Sequence, residues 1–97
     1  MIHIIRPRCG GKTTSILHLA ERTGAIVVCY NPVQMRKLAQ NRGFSDDIRF
    51  ISYRDFIYKA PGTRENYLID EIDGLLRTIY PNVLGYSFSP EDKNFIV

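Results

Sequence analysis

Tryptophan is absent from this 97-residue chain, and cysteine and methionine occur only twice each. Cys9 and Cys29 are too few for a disulfide framework, so a packed core must hold the fold together. His3 and His18 stand alone, and no His/Cys cluster has the spacing of a zinc site. No apolar run approaches the about 20 residues of a membrane-spanning helix. The opening Met1-Ile2-His3-Ile4-Ile5 is too short for a secretory leader, and the expected location is the cytoplasm. Internal repeats, low-complexity tracts and linkers are also missing. The longest turn-rich piece runs from Lys59 to Asn66 around Pro61-Gly62-Thr63. One domain, spanning residues 1–97, is therefore expected. Charge of one sign does not dominate either. Thirteen Lys and Arg face ten Asp and Glu, a net charge of +3, which permits nucleic-acid contact without requiring it.

Apolar residues make up 44% of the chain and aromatics 11%, enough for a core. It is a small one, because a domain near this length buries only about two-thirds of its unfolded surface.

Strand and helix patterns alternate along the chain. Ile2–Ile5 is a short β-branched run closed by Pro7, read as a buried strand. Lys12–Arg22 reads as a helix with Ile16, Leu17, Leu19 and Ala20 on its inner face and Gly24 as its stop. Ala25–Tyr30 is a continuous apolar run suited to a parallel strand covered on both faces. Asn31-Pro32 opens a helix to about Asn41, with Val33, Leu38 and Ala39 inward. Ile48–Ile51 is a third strand. Ser52-Tyr53-Arg54-Asp55 resembles a capping box for a short helix to Lys59. Asn66–Asp70 is a fourth strand ending in an acid. Ile72, Leu75, Leu76 and Ile79 mark an amphipathic helix. Val83–Phe88 reads as a fifth strand, and the tail 91–97 as a short edge segment or a frayed end. The alternation predicts an α/β fold of three layers with a mostly parallel five-stranded sheet. In such sheets ligands bind at the carboxyl ends of the strands.

Two places there carry chemistry. Arg6-Pro7-Arg8-Cys9-Gly10-Gly11-Lys12-Thr13-Thr14 joins the first strand to the first helix. Its glycines let successive amides point into one hollow, and the helix start adds free N–H groups and a positive dipole end. Lys12 brings a full charge to a phosphate, and Thr13 brings a hydroxyl for Mg²⁺. Two arginines and a helix start beside Cys9 favour its thiolate. At the other place, Tyr67-Leu68-Ile69 carries Asp70 and Glu71 to the sheet edge. Asp70 is suited to Mg²⁺ and Glu71 to orienting or deprotonating a water.

The first segment resembles the Walker A motif of P-loop NTPases, departing from it at Arg6, where the pattern has glycine. The second resembles a Walker B motif with the Asp-Glu pair of the RecA/helicase-like branch. The chain is also similar, over residues 1 to about 88, to small phage-encoded ATP-binding proteins, which would place it in the host cytoplasm. The resemblance implies ATP and Mg²⁺ as cofactors. Arg8, Cys9, Gly10, Gly11, Lys12, Thr13 and Thr14 would contact nucleotide, Thr13 and Asp70 the metal, and Lys12 and Glu71 would be catalytic. It also implies a P-loop NTPase-like strand order of 1-5-4-2-3, with Ser87 or Ser89 near the γ-phosphate. Single-stranded nucleic acid would touch Tyr30-Asn31-Pro32 and Ile51-Ser52-Tyr53-Arg54.

The expected function is nucleotide binding with slow Mg²⁺-dependent ATP hydrolysis, in phage DNA or RNA handling. The alternative is a non-catalytic, truncated helicase-like module that binds a protein or nucleic acid. A second helicase domain and an arginine finger are not evident. A nucleotide kinase needs a lid and an acceptor pocket, for which the chain has little room. The first strand would lie at an edge of the sheet, open to a second copy or a larger protein partner.

Overall fold

In the computed structural model, residues 3–5, 11–88 and 95–96 are described, the last two by their backbone alone. The elements in chain order are β1 (His3–Ile4), α1 (Lys12–Thr23), β2 (Ile26–Cys29), α2 (Pro32–Asn41), β3 (Phe50–Ser52), α3 (Tyr53–Lys59), β4 (Tyr67–Ile69), α4 (Ile72–Ile79) and β5 (Phe95–Ile96). The result is a small α/β domain.

Its centre is a parallel three-stranded sheet in the order β3-β2-β4. Val27 lies opposite both Phe50 and Leu68, and Val28 opposite both Ile51 and Ile69. Successive side chains of a strand point to opposite faces, so Val27 and Val28 seed two separate cores. On one face Val27 meets Ile16, Leu17 and Ala20 of α1, Ala39 of α2 and Ile48. On the other Val28 meets Tyr53 of α3 and Leu75 of α4, flanked by Ile51, Phe56, Ile57, Tyr67 and Ile69. Helices therefore cover both faces of β2, which explains its unbroken apolar sequence.

The helix ends follow local chemistry. Gly24 stops α1 in a left-handed conformation, its amide bonding the Ala20 carbonyl at 2.9 Å. Asn31 caps α2 by accepting the Gln34 amide at 3.2 Å, with Pro32 in the first turn. Ser52 caps α3 by accepting the Asp55 amide at 3.1 Å.

Three expectations are corrected. The five strands do not form one sheet: β1 pairs in parallel with β5, His3 opposite Phe95 and Ile4 opposite Ile96, apart from the three-stranded sheet. The fifth strand also comes from the tail. Residues 83–88, expected to supply it, are irregular. Their apolar alternation suits a strand, but Gly85 at the centre weakens one, and Leu84 is 104% exposed with no facing neighbour. With no strand there, Ile72 and Ile79 of α4 also stay exposed, and only Leu75 of its apolar stripe is buried. Finally, of the three residues expected on the inner face of α2, Leu38 and Ala39 pack inward but Val33 faces water. Among the described residues, no helix is long and apolar enough to cross a membrane.

Leu17 is fully buried at the contact of α1 with β2. Leu17→Ala should cost about 2–5 kcal/mol of stability, measured by urea denaturation.

Candidate functional site

Parallel pairing brings the two chemical segments together. The Asp70 amide bonds the Val28 carbonyl at 2.9 Å, extending the β2–β4 ladder by one residue. This leaves Asp70 at the carboxyl end of β4, beside the start of α1, where Gly11 is the N-cap. Gly11 adopts a φ of 86°, a left-handed conformation that glycine takes at little cost. Its carbonyl accepts the Ser15 amide at 3.0 Å and starts the helix.

Across this junction Lys12 Nζ lies 2.8 Å from Glu71 Oε1. Thr13 Oγ1 donates to Asp70 Oδ2 at 3.4 Å, across 57 residues of sequence. Lys12, Thr13, Asp70 and Glu71 thus meet, as the sequence reading grouped them. Thr14 sits differently: its hydroxyl accepts from Arg42 Nη1, just past α2, at 2.8 Å. Arg6, Arg8, Cys9, Gly10 and Ser89 lie outside the described residues. Ser87 is exposed in the irregular segment, and Tyr30 is 82% exposed after β2.

Asp70 is the one buried charged side chain among the described residues, at 7% exposure. Loss of water raises its pKa above the usual carboxylate range, and the nearby Glu71 charge adds to this; the Thr13 hydroxyl and Lys12 pull the other way. The hydrogen bond that the Lys12 ammonium donates to Glu71 holds its pKa above the ordinary range. Burial pushes the Cys29 thiol up to about 11, which makes it a packing group rather than a nucleophile.

Glu71 has a φ of 61°, the single positive φ at a non-glycine position among the described residues. For an L-residue this conformation costs about 1–2 kcal/mol, so its surroundings must hold it there. Two groups that the sequence reading did not place in the site do so. Tyr53, buried at the first position of α3, sends its hydroxyl to the carbonyls of Asp70 at 2.5 Å and Glu71 at 3.1 Å. Gly74 of α4 gives that ring room, since a Cβ there would lie 2.9 Å from the Tyr53 oxygen. The available signal was Gly74 itself, because glycine inside a helix pattern points to a packing reason.

The donor set suits Mg²⁺. One carboxylate and one hydroxyl would hold the ion, which favours one or two carboxylates together with water and phosphate oxygens. A Thr–Asp oxygen separation of 3.4 Å is near the about 2.9 Å between neighbouring oxygens of an octahedron with 2.0–2.1 Å bonds. Among the described residues, no group of three or more His, Cys, Asp or Glu could hold a metal ion.

Folding favours the protonated form of Asp70, so its contribution to stability is fullest below the ordinary carboxylate pKa. That contribution is lost as pH rises through the raised value. At pH 7 without Mg²⁺, Asp70→Asn should therefore melt higher than the unaltered chain, with the difference shrinking in acid. Thermal denaturation at pH 3 and pH 7 measures this.

Comparison with protein-family models, with curated proteins and with solved structures finds no match for this chain.

Proposed function

We propose that this chain binds a nucleoside triphosphate, ATP in the first instance, with Mg²⁺ between the start of α1 and the end of β4, and hydrolyses it slowly. The observation that carries the reading is the meeting of Lys12 and Thr13 with Asp70 and Glu71 at the carboxyl end of a parallel sheet. That is where α/β sheets bind ligands. The resemblance to Walker A and Walker B motifs supports it, as does the order β4-β2-β3, which matches the 4-2-3 part of the strand order expected for a P-loop NTPase-like, RecA-like fold.

Each residue has one task. Lys12 leaves Glu71 and faces the β- and γ-phosphate oxygens, where its charge offsets theirs. The free amides at the start of α1 add donors and a positive dipole end. Thr13 and Asp70 would hold Mg²⁺, which would supply positive charge to offset that of the phosphates. Glu71, released from Lys12, orients a water towards the γ-phosphorus and accepts its proton as the new P–O bond forms. The bond from the γ-phosphorus to the β,γ-bridging oxygen breaks, giving the diphosphate and inorganic phosphate.

A second reading, a non-catalytic module that binds a protein or nucleic-acid partner, has two features of its own. Leu84, Tyr86 and Phe88 are exposed together on 83–88, and among the described residues β4 pairs with β2 alone. Exposed apolar residues and open strand edges are typical contact surfaces.

Phosphate release from Mg²⁺-ATP, with and without single-stranded DNA, tests the proposal. The unaltered chain should turn over ATP, and Lys12→Ala and Glu71→Gln should each reduce the rate at least a hundredfold, within the range for groups acting on the reacting atoms. Stimulation by DNA would assign the activity to nucleic-acid handling. Nucleotide binding without phosphate release would favour the second reading.

A further inference from the structure

The structure assigns to Tyr53 the role of a positioning residue: its hydroxyl fixes the backbone of Asp70 and Glu71 so that both carboxylates face the start of α1. This inference rests on the proposed phosphate and Mg²⁺ site.

Tyr53 follows the Ser52 cap, so its ring enters the core beneath the end of β4. There its hydroxyl meets two successive carbonyls, those of Asp70 and Glu71. The Glu71 carbonyl also accepts the Gly74 amide at 3.0 Å and the Leu75 amide at 3.4 Å. The peptide after Glu71 is thus held from α3 on one side and from α4 on the other. Between these holds, Glu71 turns to its φ of 61°. At that turn Glu71 reaches Lys12 and Asp70 stays on Thr13.

Gly74 is the second trace of the same contact. Glycine inside a helix is unfavourable compared with alanine. Here a Cβ would lie 2.9 Å from the Tyr53 oxygen and 3.0 Å from Cε2 of its ring. The positive φ at Glu71 and the glycine in α4 therefore have one common cause, the buried hydroxyl of Tyr53. The hydroxyl bonds backbone oxygens and not the carboxylates, so it acts through Glu71 rather than on a substrate.

The test uses the full chain and its Tyr53→Phe variant. The first readout needs no nucleotide: the intraresidue amide–Hα NOE of Glu71, which is strong at positive φ. The second is steady-state ATP turnover. Tyr53→Phe should fold by circular dichroism, lose the strong Glu71 NOE, and lower kcat about tenfold, equivalent to about 1.4 kcal/mol. The KM for ATP should stay within about twofold, because Lys12 and the start of α1 remain in place. A Tyr53→Phe protein with the NOE and kcat of the unaltered chain would overturn the inference. If the NOE is lost but the unaltered chain neither binds nor turns over ATP, Tyr53 still fixes the junction and the nucleotide reading is what fails. If Tyr53→Phe does not fold, Gly74→Ala replaces it, crowding the hydroxyl without removing it. Loss of the Glu71 NOE in Gly74→Ala then supports the inference, and its retention overturns it.

Discussion

A single carboxylate withdrawn from water governs the rest of this molecule. Asp70 is carried below the surface because its amide closes the parallel ladder between β2 and β4. An ionised group in that position costs free energy unless it is paired. The pairing available, one hydroxyl at 3.4 Å and the more distant charge of Lys12, is incomplete. A cation with phosphate oxygens would complete it.

The same junction explains the two cores. Because β2 is covered on both faces, Val27 and Val28 each anchor a pair of helices. One pair includes α1, which presents Lys12 and Thr13; the other is α3 and α4, which fix the turn at Glu71 through Tyr53 and Gly74. Both sides of the site are thus built from core packing rather than from loops alone. The Lys12–Glu71 contact at 2.8 Å joins them in the free protein. In the proposed function a phosphate ligand competes with Glu71 for Lys12 and so frees Glu71 for a water.

Much of this was legible from local patterns. The four helices, their Asn31 and Ser52 caps and the inner face of α1 follow from spacing and capping chemistry, which depend on residues close in sequence. The strand expected at Ala25–Tyr30 forms over Ile26–Cys29, legible because a strand covered on both faces takes a continuous apolar run. The meeting of Lys12, Thr13, Asp70 and Glu71 was legible because segments that follow parallel strands come together at the carboxyl ends of the sheet. What escaped depends on contacts distant in sequence. Residues 83–88 have a strand pattern, but a strand also needs a partner edge, and β1 pairs with 95–96 instead. Val33 is apolar and was expected to face inward, yet it is exposed, because the rotation of α2 is set by Ala39 against Val27 and Ile48. Tyr53 read as a cap neighbour in a segment expected to touch single-stranded nucleic acid, yet it is buried, and nothing near it in sequence shows that its hydroxyl ends 17 residues away.

The central claim is that the start of α1 and the end of β4 form one site for a phosphate ligand with its metal. Isothermal titration of a non-hydrolysable ATP analogue, with and without Mg²⁺, into the unaltered chain and into Lys12→Ala tests it most directly. One-site binding that strengthens with Mg²⁺ and disappears in Lys12→Ala is the predicted result. No binding by the unaltered chain, or equal binding by Lys12→Ala, would contradict it.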